Sequence, residues 1–207
     1  MKNHTFPLLV SLKSFRHLAL VLPLLAGLGA CDPISLGVGA AATTGVAIYE
    51  ERGLKGVAKD TTLEAYIVKA WLEKDTKIAA KVSVEVYEGR ALITGIVQTD
   101  AMRADAISLA WKVEGVKDVL NEIIVGESSG FGEVAHDTTI TAELKSKLTF
   151  DEEVHAVNYA VETVRGTVYL IGIAQSQTEL DRVISQARNI SYVKKVISHV
   201  RVKAPEG

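Results

Sequence analysis

The chain has 207 residues and a formal net charge of −2, which leaves room for one or two small domains. The first thirty residues carry Lys2, Lys13 and Arg16 and no acidic residue, and without them 20 basic and 25 acidic residues remain, a net charge of −5. A mildly acidic chain is a poor partner for nucleic acid, because non-specific binding depends on neutralising phosphates. The single cysteine, Cys31, excludes an intramolecular disulfide.

Residues 1–30 have the pattern of a signal peptide. Basic residues precede an apolar run over residues 18–26, which is shorter than the roughly 20 apolar residues of a transmembrane helix. The run Leu28-Gly29-Ala30-Cys31 is similar to the bacterial lipoprotein box, in which the cysteine becomes the new N-terminus and is acylated. We therefore expect lipid attachment at Cys31. The alternative is an ordinary signal peptide followed by a cysteine that stands there by chance.

Residues 31–59 are rich in Gly, Ala and Thr, which predicts a tether between the lipid and the first domain. Gly37–Ala42 superficially matches a dinucleotide-binding fingerprint. That fingerprint needs a preceding strand, which is missing, so we predict no nucleotide cofactor.

Asp60–Val125 and Asp137–Val202 are two copies of one sequence unit, offset by 77 positions, with 18 of 66 aligned residues identical. Two copies at a fixed offset indicate one structural unit used twice. The predicted organisation is a lipoprotein signal peptide at 1–30, a tether at 31–59, domains at 60–125 and 137–203, and a linker at 126–136.

In the first copy, Thr61-Thr62-Leu63-Glu64 resembles a capping box and predicts a helix from there to about Trp71. The turn Glu88-Gly89 predicts a hairpin. Gly95 predicts that another backbone approaches closely there. The other predicted elements are strands at Val82–Val86, Ala91–Val97 and Val116–Val125 and a helix at Asp100–Val113.

The second copy repeats this order. Asp137 is predicted to cap a helix that ends near Leu148, and Ser176 with Glu179 forms a capping box for a second helix that ends near Arg188. The strands are predicted at His155–Val164, Thr167–Ala174 and Val193–Val202. Each copy therefore has the order α-β-β-α-β, which predicts an α+β fold of two tandem domains, each a three-stranded mixed sheet with two helices on one face.

No catalytic or metal site is indicated by the sequence. His136, His155 and His199 do not share metal-ligand spacing, and no further cysteine is present. Glu85 and Glu162 occupy the same position in the two copies, and we predict that both are solvated carboxylates on outward strand faces. We expect no enzymatic activity, no cofactor and no metal.

A binding surface is the remaining source of function. Lys145 and Lys147 lie on the first helix of the second copy, and Phe131 precedes that helix in the linker. Lysines beside apolar groups can hold anionic lipid headgroups while the apolar groups enter the membrane interface. The alternative is an ordinary amphipathic helix with a solvated lysine face.

Both copies have Asp-Thr before a helix, a valine strand, a glycine hairpin, a Gly-Ile pair and Val-Lys before the third strand, and they resemble BON domains. In tandem behind Cys31, they are similar to the dual BON-domain lipoproteins of Gram-negative envelopes, the DolP/OsmY-like group. Asn158–Val164 and Val168–Gln175 are especially similar to the second BON domain of that group. The likeness extends from Cys31 to Val202.

The resemblance implies a non-enzymatic lipoprotein in the outer membrane that faces the periplasm and supports outer-membrane integrity. It also implies that the second domain binds anionic phospholipid through its first helix. The family often has tryptophan, a natural interface anchor, where this chain has Thr139. We expect membrane contact at Phe131, Thr139, Lys145 and Lys147, with Phe131 compensating in part for the missing tryptophan.

Two alternatives remain open. One is a lipid-anchored adaptor that docks envelope proteins without recognising phospholipid directly. The other concerns the membrane: Asp32 directly follows Cys31, and in enteric bacteria an aspartate there is associated with retention in the inner membrane.

Overall fold

The computed structural model describes residues 50–204. The predicted signal peptide, the lipid site Cys31, Asp32 and the glycine-rich run Gly37–Ala42 lie outside this part. In chain order, the elements are α1 (Gly53–Lys74), α2 (Thr76–Ala79), β1 (Val82–Tyr87), β2 (Arg90–Val97), α3 (Asp100–Trp111), β3 (Asp118–Val125), α4 (Phe131–Thr149), a 3-10 turn (Ala156–Asn158), β4 (Tyr159–Val164), β5 (Thr167–Ala174), α5 (Gln177–Arg188) and β6 (Lys195–Val202). Among the described helices, none combines the length and apolar character needed to cross a bilayer.

The two repeats have the same topology. β1 pairs antiparallel with β2, which pairs parallel with β3, and β4, β5 and β6 pair in the same way. Each sheet is therefore mixed and three-stranded, and two long helices pack on one face of it, as the sequence predicts. Trp71 and Ile93 are buried in the first core, and Leu144 and Leu170 in the second.

Both first helices begin earlier than predicted. α1 begins at Gly53, so Thr61 and Glu64 lie inside the helix and form no capping box. α4 begins at Phe131, where the Glu133 carboxylate accepts from the Gly130 amide, so residues 131–136 are helical instead of being part of a linker. The capping box predicted at Thr61 and Glu64 was wrong because Ser/Thr-x-x-Glu also occurs within helices, and only the tertiary contacts of these residues tell the two cases apart.

Asp60 and Asp137 cap no helix and instead hold the hairpin turns. The Asp60 carboxylate accepts from the amides of Glu88 and Gly89, at 2.7 and 2.9 Å. Asp137 accepts from Arg165 and Gly166 in the same way, at 2.7 Å each. Each aspartate therefore joins the first helix of its repeat to the hairpin that the helix covers.

Gly95 behaves as predicted, and its counterpart in the second repeat does the same. Gly95 has a φ of 128°, and a Cβ built there would lie 2.3 Å from the Lys81 carbonyl oxygen. Its counterpart Gly172, with a φ of 149°, would meet the Asn158 carbonyl oxygen at 1.9 Å. Only glycine allows this approach of the chain that enters each first strand.

The sheet faces that the helices leave open pack against each other. A third apolar cluster joins Tyr87 and Leu92 of the first repeat to Tyr169, Ile171 and Ile173 of the second. We call this contact the seam. It buries the outward face of both sheets and places equivalent residues of the two repeats opposite one another.

The chain that enters α1 also bridges the repeats. The Glu51 amide donates to the Asn158 side chain at 2.8 Å, and the Glu51 carboxylate pairs with Lys203 at 2.9 Å. The next residue, Arg52, pairs with Asp60 and lies over the Tyr87 ring, 4.3 Å from its centroid. The last part of the predicted tether, residues 50–59, is therefore fixed to both domains and includes the start of α1, so the prediction of a tether to residue 59 was wrong there.

Candidate membrane-contacting surface

α4 turns an uncharged face to solvent. Ile140, Leu144 and Leu148 bury the opposite face in the second core. The outward residues, which we call the threonine face, are all exposed: Ala135, Thr138, Thr139, Ala142, Ser146 and Thr149. The exposed side of a soluble helix is normally charged, so a neutral stripe along about four turns is unusual.

The threonine hydroxyls on this face are turned inward. Thr138 and Thr139 donate to the carbonyl oxygens of Val134 and Ala135, at 2.9 Å each, and Thr149 donates to that of Lys145 at 2.7 Å. These bonds satisfy the hydroxyl donors within the helix. The face therefore presents methyl groups and is less polar than its composition indicates.

Aromatic residues stand at both ends of α4. Phe131 at its first position is 91% exposed, and Phe150, directly after its last residue, is 84% exposed. Val134, one turn after Phe131, is also exposed. At 1.5 Å per residue, the two rings are separated by about 28 Å along the helix. A single exposed apolar residue is ordinary, but two phenylalanines flanking a neutral face form an extended weakly polar strip.

A cleft of about 190 Å³ adjoins the N-terminal half of α4. Arg165 and Lys194 supply its positive charge, and Glu133 and Asp137 its negative charge. The Arg165 guanidinium donates one hydrogen bond to the Glu127 carbonyl oxygen, and its buried Nε has no partner. The carboxylate of Asp137 is already engaged by the hairpin amides. The cleft can therefore offer N–H donors and positive charge to a small anionic group.

Tyr192 forms one wall of this cleft, and its backbone conformation is strained. Its φ is 69°, in the left-handed region, where the first repeat has Gly115. A non-glycine residue in that region costs about 1–2 kcal/mol. The Tyr192 ring stacks on His136 with centroids 4.1 Å apart and remains 65% exposed. The strained residue thus adds an exposed aromatic surface to the wall of the cleft.

The four predicted contact residues do not share one face. At about 100° per residue, Thr139 and Lys145 lie within about 80° and 40° of Phe131 around α4, whereas Lys147 lies about 160° away. The Lys147 ammonium pairs with Glu143 at 3.5 Å. Phe131, Thr139 and Lys145 therefore belong to or border the threonine face, and Lys147 borders the buried side.

An open groove of about 770 Å³ lies at the other end of α4, between Phe150 and α5. Its cation Arg182 pairs with Asp151 at 2.6 Å and also with Glu153. Lys147, another lining residue, is paired with Glu143. Because the groove is lined by two cations and three carboxylates, it offers less to an anion than the cleft beside Tyr192.

The BON domain profile matches residues 59–127 and 136–204, which are the two repeats. The chain belongs to the BON-domain family. We call the repeats BON domain 1 and BON domain 2. The predicted tandem α+β organisation is therefore confirmed.

Three relatives resemble most of the chain. It is 34% identical over 191 residues to the outer membrane lipoprotein DolP of Haemophilus influenzae, covering 91% of this chain and 96% of that protein. The 21 kDa hemolysin of Actinobacillus pleuropneumoniae is 38% identical over 150 residues, covering 72% and 70%. Osmotically-inducible protein Y of Escherichia coli K12 is 31% identical over 149 residues, covering 70% and 73%. None of these three names denotes an enzyme.

The cleft residues were not predicted from the sequence. Arg165 lies in a hairpin turn and Lys194 in the loop before β6, and only the fold brings them to α4. One signal was available: Tyr192 stands where the first copy has glycine. No group of three or more residues suited to holding a metal is found in the described part of BON domains 1 and 2.

Proposed function

We propose that this protein is a lipid-anchored, periplasm-facing envelope protein whose BON domain 2 binds anionic phospholipid through α4 and which supports outer-membrane integrity. The observation that carries this proposal is the threonine face, with its internally bonded hydroxyls and the exposed Phe131 and Phe150 at its ends. A helix that lies on a bilayer needs such a face, because charged groups resist entering the interface.

The charges around the threonine face suit an anionic surface. Lys145 borders the face, and Arg165 and Lys194 stand in the cleft at the N-terminal half of α4, on the side of the helix away from Phe131. Phe131 and Val134 would enter the interface together with the threonine face. Insertion of the threonine face and attraction of headgroups to Lys145 would both contribute to binding.

The anchor rests on the sequence and on the relatives. Cys31 follows a signal-like segment, and the H. influenzae relative is named an outer membrane lipoprotein. We propose the outer membrane as the location, with the inner membrane as the alternative because of Asp32. Membrane fractionation with mass analysis of the mature N-terminus tests both points. An unmodified N-terminus on a freely soluble protein would contradict the anchor.

Vesicle binding tests the lipid site directly. The fragment of residues 50–204, which contains both hydrophobic cores, is offered vesicles of phosphatidylcholine alone or mixed with phosphatidylglycerol. Binding is expected only with the anionic lipid, and Phe131→Ser is expected to weaken it about tenfold or more, because a large apolar contact is lost. The matched control is Leu54→Ser, because Leu54 is the exposed counterpart of Phe131 in BON domain 1. Equal binding to both vesicles, or equal loss in both variants, would overturn the proposal.

Charge reversal separates the two lysines. Lys145→Glu is expected to weaken binding to the anionic vesicles severalfold, because it places a carboxylate at the border of the threonine face. Lys147→Glu changes a lysine that is paired with Glu143 away from that face, so binding should stay within about twofold. A larger effect at Lys147 would move the contact to the other side of α4.

The adaptor remains the second candidate, and BON domain 1 supplies the observation in its favour. Tyr66, Leu72 and Trp111 are each about half exposed on the helices of that domain. If the vesicle experiment fails, crosslinking in intact cells from Trp111 should capture an envelope protein specifically. If the vesicle experiment succeeds, cells whose only copy of the protein is the Phe131→Ser variant should be as sensitive to detergent as cells that lack the protein.

A further inference from the structure

Glu85 and Glu162 lie in the seam, and the prediction that they are solvated was wrong. Val84 and Val86 point into the first core, so the intervening Glu85 points to the opposite face of β1. Glu162 occupies the same position on β4 of the second repeat. Their cross-strand partners, Leu92 and Tyr169, belong to the apolar cluster of the seam.

The two carboxyl groups face each other closely enough for each to affect the pKa of the other. A carboxylate can only accept, so a hydrogen bond between two carboxyl groups requires a proton on one of them. If both ionised, two like charges would face each other in a partly buried site. Close contact between the two carboxyl groups therefore favours one bound proton as long as the two sheets remain packed.

The charged residues around Glu85 and Glu162 do not neutralise the pair, so a proton is still favoured. Glu64, on α1, accepts from the Val86 amide at 2.8 Å and adds a further negative charge near Glu85. Lys145, on α4, is the cation that acts on both carboxyl groups, but it is exposed to solvent. Farther along the seam, Glu122 pairs with His199. Burial, and then the charges of Glu64 and Glu162, raise the pKa of Glu85 to about 8, and burial also raises the pKa of Glu162.

We propose that Glu85 and Glu162 form a proton-dependent latch, in which one shared proton holds the two BON domains together at the seam and its loss loosens their packing. The latch does not require the lipid site, because it needs only the contact between the sheets, although Lys145 borders both. Its ligand is the proton, and it responds to the pH of the compartment that surrounds the protein.

The direction of the pH effect follows from linkage. An ordinary glutamate loses its proton near pH 4.5, whereas Glu85 in the packed protein keeps it to about pH 8. Between these values the packed state holds one proton more than the separated or unfolded state, so its stability falls as the pH rises. The contribution of the latch is complete below pH 4.5 and is lost once the pH has passed about 8.

Thermal unfolding of residues 50–204 between pH 5 and pH 9 tests the latch. In Glu85→Gln the amide donates permanently to Glu162, so the fall in Tm between pH 5 and pH 8 should be smaller than in the wild type. At pH 8 its Tm should be higher by about 3 °C or more, the size of shift expected from one proton over about one pH unit. Glu114→Gln, which neutralises an exposed carboxylate, should leave the wild-type slope unchanged. Equal slopes for Glu85→Gln and the wild type would overturn the proposal.

A carbon-13 NMR titration of the glutamate carboxyls gives a second readout that needs no folded variant. In the wild type, one carboxyl of the pair should titrate near pH 8, and amide protection on β1 and β4 should fall in the same pH range. If both carboxyls titrate below pH 5 with the seam intact, or if the proton is lost near pH 8 without any change in protection, the latch is excluded.

Discussion

Glu122 and His199 meet in the seam at a distance of 2.8 Å between Oε1 and Nε2, although they are the same position of the two BON domains. Both side chains are about one-fifth exposed. The Arg90 guanidinium donates to the carbonyl oxygen of His199 at 2.9 Å, which adds a second polar contact between the domains. The duplicated chain has thus diverged at one position into two complementary groups.

This divergence predicts a measurable coupling. Glu122→Ala and His199→Ala should each destabilise the protein, and a double-mutant cycle should give a coupling of about 0.5–1.5 kcal/mol, typical of one partly buried hydrogen bond. Denaturant unfolding of residues 50–204 measures it. As a control, a second cycle combines Glu122→Ala with Glu114→Ala, at an exposed position. These two substitutions should have additive effects on stability. Additivity between Glu122 and His199 would show that the contact adds nothing to the seam.

The sequence predicted the interior of each repeat better than the contact between repeats. Alternating valines and the paired glycines specify the hairpins, because period-two burial and positive φ leave a local signal in the residues themselves. The seam leaves no such signal. The alternating pattern predicts that Glu85 and Glu162 are surface residues, because it shows only that they point away from their own core. What covers that second face depends on the other repeat.

Replacing the aspartates that hold the hairpin turns, Asp60 and Asp137, by alanine should cause a large loss of stability. Asp137→Ala leaves the amides of Arg165 and Gly166 without an acceptor, and bonds to a charged acceptor contribute about 1.5–3 kcal/mol each. We expect a destabilisation of about 3 kcal/mol, measured by denaturant unfolding. Asp60→Ala should cost more, because Asp60 is buried and also pairs with Arg52.

A surface aspartate provides the control for this comparison. Asp105 pairs with Lys74 at 3.5 Å, and both side chains are about half exposed. Asp105→Ala should therefore cost less than about 1 kcal/mol. A similar loss at Asp105 and Asp137 would mean that the hairpin bonds are not the source of the stability.

Glycine substitutions should have opposite effects at two positions. Gly172→Ala would place a Cβ 1.9 Å from the Asn158 carbonyl oxygen at a φ of 149°, so at least about 3 kcal/mol of stability should be lost or the domain should fail to fold. Gly132→Ala, in the first turn of α4 with open space around it, should raise stability by up to about 1 kcal/mol. Soluble yield and thermal unfolding report both, and a tolerated Gly172→Ala would contradict the close approach of the strands.

The candidate site was predictable as an element but not as a surface. The first helix of the second repeat was identified, and Phe131 and Thr139 lie at its outward side. The inward turn of the threonine hydroxyls depends on the helical backbone, which brings the carbonyl oxygen four residues earlier within reach. The cleft depends on residues more than twenty positions away, which no local pattern joins to α4.

Thr139 offers the most closely matched test of the membrane surface. Thr62, its counterpart in BON domain 1, is also exposed and also donates back to the helix, to the Ala58 carbonyl oxygen at 2.7 Å. Thr139→Asp places a charge on the threonine face and should reduce binding to phosphatidylglycerol vesicles at least about tenfold, because ionised groups resist entry into the interface. Thr62→Asp makes the same chemical change on the other domain and should leave binding unaltered. In the opposite direction, Thr139→Trp supplies an interfacial anchor and should strengthen binding severalfold. If Thr62→Asp and Thr139→Asp reduce binding equally, the effect is one of net charge and α4 is not the contact.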